Sequence, residues 1–204
     1  MKKKKIIVLA SSSPRRAEIL RRYVPDLVVI TPNAIEKIYD DPYQTVLSNS
    51  REKAYSVIEK APRRSVIIGA DTIIYSKQYG IIGKPRSLNE AAEILLKLRG
   101  KWHSVITGVT IIDTETLAVS SFTSETSVKM RDFTNEELQE YLATIEPLGK
   151  AGAYAIQGIG ALLIDVIVGD FYNVVGLPIS RLYVELKKFG VDLLSESLKK
   201  KVAG

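Results

Sequence analysis

The run Ile6-Ile7-Val8-Leu9-Ala10, followed at once by Ser11-Ser12-Ser13-Pro14-Arg15-Arg16, constrains this chain most. A short apolar strand ends, a turn of small residues follows, and a helix begins with two cations in its first turn. Ser13 suits the N-cap and Pro14 the first helical position. The first helical N–H groups lack partners inside the helix, and the helix dipole adds positive charge at the same point. Arg15 and Arg16 therefore weaken that helix end unless an anion sits there. Strand, turn and helix with two guanidiniums form a candidate phosphate cradle. A capped surface helix with two solvated arginines is the plainer alternative.

The rest of the chain alternates. The pattern predicts a strand near 27–31 and a helix opened by Asp41-Pro42 that runs to about Lys60. A strand over Val66–Tyr75 turns through Gln78-Tyr79-Gly80 into Ile81-Ile82, a hairpin. Ser87-Leu88-Asn89-Glu90 is a capping-box pattern, and its helix carries Ala91, Ile94, Leu95 and Leu98 on one face. Residues 102–113 and 117–130 read as long strands. Thr134-Asn135-Glu136-Glu137 is a second capping box. Ala161–Val168 reads as a short strand, and a final helix starts near Pro178 and ends before Gly190. Hairpins set between helices predict an α/β protein with a mixed sheet.

Composition narrows the chemistry. The chain has no Cys and one histidine, His103, so thiolate and zinc sites are not expected. Any metal here would be a hard cation held by carboxylates and phosphates. The net charge of +6 suggests nucleic acid at first sight. Lys2–Lys5 and Lys199–Lys201 supply seven positive charges, however, and leave the remainder nearly neutral. Terminal lysine runs are commonly solvated and frayed, so nucleic acid is not an expected partner. No apolar run approaches a membrane span, and no leader is recognised, so a cytoplasmic protein is expected.

Several segments can carry chemistry. In Gly69-Ala70-Asp71-Thr72 a carboxylate interrupts an apolar strand, so it needs a cation, a metal or a cleft. Its small neighbours leave room for a ligand near the backbone. An aspartate pointing outward at a strand edge is the equal alternative. Gly83-Lys84-Pro85 holds a lysine in a stiff turn, against the commoner case of a loop lysine in water. In the stretch Lys150–Gly160, Gln157 offers a donor and an acceptor suited to a nucleobase edge. The small residues around it serve either a ligand or a tightly packed turn. Glu36, in the polar loop before Asp40-Asp41, reads as a metal ligand or, viewed alone, as a solvated acid. Lys53, in Ser50-Arg51-Glu52-Lys53, reads as an exposed helical lysine or a cleft cation. His103 reads as a satisfied strand residue without a catalytic role.

Taken in order, these segments resemble the Maf family of nucleotide pyrophosphatases. The resemblance adds Ser50-Arg51-Glu52-Lys53-Ala54, His103–Val109, Glu146-Pro147 and Asn173-Val174-Val175-Gly176-Leu177-Pro178 to those above, and spans about residues 6–187. It implies one Maf-like domain over 1–204: two lobes, a long mixed β-sheet flanked by helices, and a central cleft, as in inosine triphosphatase-like proteins. It implies hydrolysis of nucleoside triphosphates to monophosphate and pyrophosphate with Mg²⁺ or Mn²⁺, in a cytoplasmic homodimer. Asp71 matches the family's proton acceptor. Arg15, Thr72 and Gln157 match its specificity positions and look like the branch acting on dTTP and UTP, not the 7-methyl-GTP branch. Ser13, Arg16, Lys53 and Lys84 match its phosphate-facing positions, and Glu36 with Asp71 would hold the metal. Where the family commonly has Asp before Lys-Ala-Gly-Ala-Tyr, this chain has Gly149. The alternatives are a 7-methyl-GTP pyrophosphatase, a regulatory nucleotide binder with little turnover, and a basic RNA-binding module.

Overall fold

The structure, a computed structural model, describes the backbone of residues 4–202 and the side chains of residues 4–198. Lys2 and Lys3, and the side chains of Lys199–Lys201, lie outside the described residues. The chain is α/β with a seven-stranded mixed sheet. Its strands are β1 (Ile6–Ala10), β2 (Val28–Ile30), β3 (Ser65–Ser76), β4 (Gly80–Ile82), β5 (Trp102–Asp113), β6 (Val119–Met130) and β7 (Ile164–Val168). The order is β2-β1-β3-β5-β6-β7, with β4 paired to β3. β1 pairs in parallel with β2 and β3, whereas β4 on β3 and β7 on β6 are antiparallel.

The helices are α1 (Pro14–Arg21), α2 (Pro42–Tyr55), α3 (Leu88–Leu98), α4 (Asn135–Ala143), α5 (Phe171–Val175), α6 (Ile179–Lys188) and α7 (Leu193–Val202). Their starts follow the expected chemistry. Ser13 caps α1 with Pro14 at its first position, and Asp41 caps α2 by accepting from Tyr43 N at 2.9 Å. Thr134 and Glu137 form a complete capping box on α4. At α3 the box is displaced: Ser87 accepts from Glu90 N, but the Glu90 carboxylate accepts from Arg86 N at 2.7 Å. Three expectations are corrected. The second helix ends at Tyr55, because Ser56 caps it, and a separate 3-10 turn covers Ile58–Lys60. Ile159–Leu163 is a 3-10 turn, so the strand there begins only at Ile164. The last helix is α7, not α6, and α5 precedes both.

Two compact units divide the chain. The first contains residues 1–71, 107–123 and 176–204, and the second contains 72–106 and 124–175. β3, β5 and β6 each contribute residues to both. In the first unit, Val8, Ala10, Ala54, Val57, Ile67 and Ile112 form a buried core between sheet and α2. In the second, the apolar face of α3 (Ala91, Ile94, Leu95, Leu98) packs with Met130, Phe133, Leu138 and Tyr154, as its helical spacing predicts.

The N-terminal lysines are not all frayed. The Lys5 ammonium pairs with the buried Asp113 carboxylate and donates to Phe189 O at 2.9 Å. Asp113 also accepts from Glu115 N and Thr116 N, closing the turn between β5 and β6. Lys4 pairs with Asp26 at 3.1 Å and Glu196 at 2.7 Å. Asp113 is buried and Glu196 lies on α7, so ordering these lysines is offset by charge-assisted bonds.

Candidate active site

Two glycines set the position of α2. A Cβ on Gly69 of β3 would lie 2.3 Å from Ser50 O and 2.8 Å from Ala54 N. A Cβ on Gly108 of β5 would lie 2.4 Å from Val46 O. The helix backbone therefore lies directly on the sheet. The space beside Gly69 is filled by α2 and is not open to a ligand, which corrects that expectation. The chemical consequence is two residues away: close packing at Gly69 brings the buried face of α2 to Asp71.

Asp71 is buried inside β3, so the strand-edge alternative does not hold. Lys53 Nζ lies 2.6 Å from Asp71 Oδ1 and 2.6 Å from Glu36 Oε1. Lys53 is itself buried, which overturns the exposed-lysine alternative. The Glu36 side chain is 47% exposed and still paired, so it is not a merely solvated acid. Burial pushes the Arg16 guanidinium below its usual range; Asp71 and Glu36 draw it back up, while Arg15 pushes it down. Arg16 Nε donates to Gly176 O at 2.8 Å, which anchors that guanidinium. Ser13 caps α1 through a long 3.5 Å contact with Arg16 N. The first unit thus gathers Ser13, Arg15, Arg16, Glu36, Lys53 and Asp71. Two carboxylates meet on one cation, with the Arg16 guanidinium within electrostatic reach of both.

The oxygen donors of Glu36 and Asp71 suit a hard divalent cation. They already converge on a positive charge, the Lys53 ammonium, so two carboxylates with phosphate oxygens and water fit Mg²⁺ or Mn²⁺. Among the described residues no group of three or more acidic or histidine side chains could hold a metal alone. A metal held by Glu36 and Asp71 would take the rest of its shell from phosphate oxygens and water.

The second unit carries Thr72, Lys84 and Gln157. Lys84 and Gln157 are exposed, and neither side chain has a hydrogen-bond partner among the described residues. Their loops are joined, since Gly152 N donates to Gly83 O at 3.2 Å. The segment around Gln157 is held by Glu146, whose carboxylate accepts from Tyr141 Oη, Ile159 N and Gly160 N at 2.9–3.0 Å. Its glycines serve packing. A Cβ on Gly158 would meet Glu146 Oε2 at 2.1 Å, and one on Gly152 would meet Ile74 Cδ1 at 2.3 Å. Gly149 adopts φ +72° with open space where a side chain would stand, so glycine relieves that turn of strain. His103 Nε2 bonds Tyr154 Oη at 2.7 Å inside the core. Among the described residues its Nδ1, however, has no hydrogen-bond partner, so the expected satisfied ring is only half satisfied.

Sequence reasoning missed Asn49, which is buried and donates to Asp71 Oδ2 at 3.0 Å. The available signal was its spacing: Thr45, Asn49 and Lys53 stand four residues apart on one helix face.

With this geometry the match to known proteins falls on the same segments. The pattern described as Maf-like protein covers residues 6–189. The chain belongs to the Maf-like protein family. A relative in Staphylothermus marinus, named dTTP/UTP pyrophosphatase, is 58% identical over 98% of this chain and 97% of its own length. One in Dictyoglomus thermophilum with the same name is 44% identical over 94% of this chain and all of its own length. A solved structure described as the Staphylococcus aureus Ham1 protein aligns with a TM-score of 0.45 and 17% identity, over 63% of this chain and 73% of that one.

Proposed function

We propose that this Maf-like protein is a nucleoside triphosphate pyrophosphatase that hydrolyses dTTP and UTP to the monophosphate and pyrophosphate. The observation that carries the reading is the buried Asp71 carboxylate held between Lys53 and Asn49, with Glu36 on the same ammonium. A site that only bound phosphate would gain nothing from buried carboxylates beside its cations. The name shared by full-length relatives at 58% and 44% identity supports the substrate class.

In this mechanism Asp71 accepts the proton of the water that attacks the α-phosphorus. Lys53, Arg15 and Arg16 stabilise charge on the triphosphate as it builds, and Ser13 donates to a phosphate oxygen. Glu36 and Asp71 would hold Mg²⁺ or Mn²⁺, which supplies charge neutralisation at the phosphates when bound. Pyrophosphate leaves carrying the electrons of the broken anhydride bond. Lys84 is assigned to phosphate, and Arg15, Thr72 and Gln157 to nucleotide choice, on the family pattern. The same pattern supports a homodimer, which light scattering tests, and the absence of Cys suits a cytoplasmic setting. Among the described residues no helix is long and apolar enough to cross a membrane.

The test is pyrophosphate release from a panel of nucleotides by the native protein and by Asp71→Asn. The native protein is expected to act on dTTP and UTP ahead of ATP, GTP and 7-methyl-GTP. Asp71→Asn removes the proton acceptor without changing size, so the folded variant is expected to lose about 10² or more in turnover. Saturable nucleotide binding without release would show a regulator, and a preference for 7-methyl-GTP would show the other branch. RNA binding with a steep salt dependence would show the third alternative.

A further inference from the structure

We infer that Asn49 is a positioning residue for this reaction: it ties the loop bearing Glu36 to the Asp71 carboxylate and holds both in register. The inference rests on the proposed pyrophosphatase reading, because Asn49 acts through Asp71 and Glu36.

The geometry is saturated. Asn49 Oδ1 accepts from Lys37 N at 2.8 Å, and Nδ2 donates to Lys37 O at 3.0 Å and to Asp71 Oδ2 at 3.0 Å. Both amide protons are used, one on the loop and one on the carboxylate. The orientation is dictated by these partners, since a flipped amide would set its oxygen against Lys37 O and Asp71 Oδ2. Asn49 is 3% exposed, so no water stands ready to replace the lost bonds.

The neighbours on the same helix face show what this does. Thr45, one turn earlier, accepts from Tyr39 N at 3.0 Å and donates to Tyr39 O or Asp41 O. Lys53, one turn later, takes Glu36 and Asp71. The buried row Thr45, Asn49, Lys53 thus grips Tyr39, Lys37 and Glu36 in turn, and the loop runs antiparallel to α2. Thr45 touches only the loop. Asn49 holds both loop backbone and Asp71 with one rigid, neutral group. It leaves Asp71 Oδ1 to Lys53 and fixes the plane of the carboxylate that must meet water.

The experiment compares native protein, Asn49→Ala, the isosteric Asn49→Asp and Thr45→Val as full chains, with UTP as substrate. Asn49→Ala is expected to lower kcat about tenfold or more, with KM for UTP within about threefold, because Asn49 does not contact nucleotide in this scheme. Asn49→Asp keeps size and the acceptor for Lys37 N, but it cannot donate to Asp71 and sets a like charge beside it. It is expected to fall at least as far as Asn49→Ala, whereas a packing role would favour the isostere. Thr45→Val loosens the same loop without touching Asp71 and is expected to lose less. Independently of turnover, the Lys37 amide is expected to exchange slowly with solvent hydrogen in the native protein and quickly in Asn49→Ala. Native-like kcat in Asn49→Asp, a loss in Thr45→Val equal to that in Asn49→Ala, or an unprotected Lys37 amide in the native protein would overturn the inference. Failure of both Asn49 variants to fold would assign the residue to the fold and overturn it too. Native protein that releases no pyrophosphate from any nucleotide would instead sink the pyrophosphatase reading, while Lys37 exchange still reports on the tie.

Discussion

Glu36 is held by a single ammonium and is half exposed, whereas Asp71 is buried with two partners. The two acids therefore differ in what their loss does. Glu36→Gln keeps the shape of the loop and removes one anionic donor. It is expected to raise the metal concentration for half-maximal rate more than it changes KM for nucleotide. A metal titration of both proteins at saturating UTP checks this, and superimposed curves would remove Glu36 from the metal site. At Gln157 the exposed amide has no hydrogen-bond partner to lose among the described residues. It can donate to a carbonyl of uracil or thymine and accept from the ring N–H beside it. Gln157→Ala is expected to flatten the ratio of kcat/KM for UTP over 7-methyl-GTP by up to about tenfold, the net worth of about one hydrogen bond. Slow hydrolysis persists because Asp71 and the cations stay. An unmoved ratio would take the base-reading role from Gln157.

At the scale of elements, α2 and β3 form one device. The strand supplies Asp71 and, two residues earlier, the glycine that lets the helix lie on it. The helix returns Asn49 and Lys53 to the carboxylate. Gly69→Ala would drive a methyl into Ser50 O, Ala54 N and Ala54 Cβ, all within 2.3–2.9 Å. Backbone cannot step aside as a side-chain end can, so the helix must lift. The expected cost is at least about 1–3 kcal/mol, read as a fall of several degrees in Tm. Turnover is expected to fall further than stability, because lifting α2 pulls Lys53 from Asp71. A variant with native Tm and native kcat would contradict the account. The capping residues needed no such contact to be recognised. Ser13, Asp41, Ser87 and Thr134 each bond N–H groups two or three residues away, so their signals are local. The end of α2 and the turn at Ile159–Leu163 carry no comparable local mark.

For the whole molecule, acid stability has a named source. Burial holds the His103 ring down at about 4 from its ordinary 6.5. The unfolded chain takes the proton near 6.5 while the native chain refuses it until about 4. Stability is therefore full above pH 6.5 and falls as pH drops through that window, by about 2 kcal/mol at pH 5. Asp113 acts at still lower pH: burial raises its carboxyl, but Lys5 and the Glu115 and Thr116 N–H groups outweigh burial and hold it below the usual range. Its contribution is lost only as pH falls through that depressed value. Thermal unfolding at pH 7 and pH 5 is expected to show a marked drop for the native protein and a smaller one for His103→Gln. Equal drops would place the sensitivity elsewhere. The sequence by itself determined the alternation of elements, the caps and the mixed sheet, because each depends on neighbours within a few positions or on an ordered set of motifs. Only the tertiary structure decided that Lys53 is buried against Asp71, that Asn49 joins them, and that Gly69 makes room for a helix. Those facts depend on residues 15–22 positions apart meeting across a helix and a strand, and one-dimensional spacing does not encode that approach.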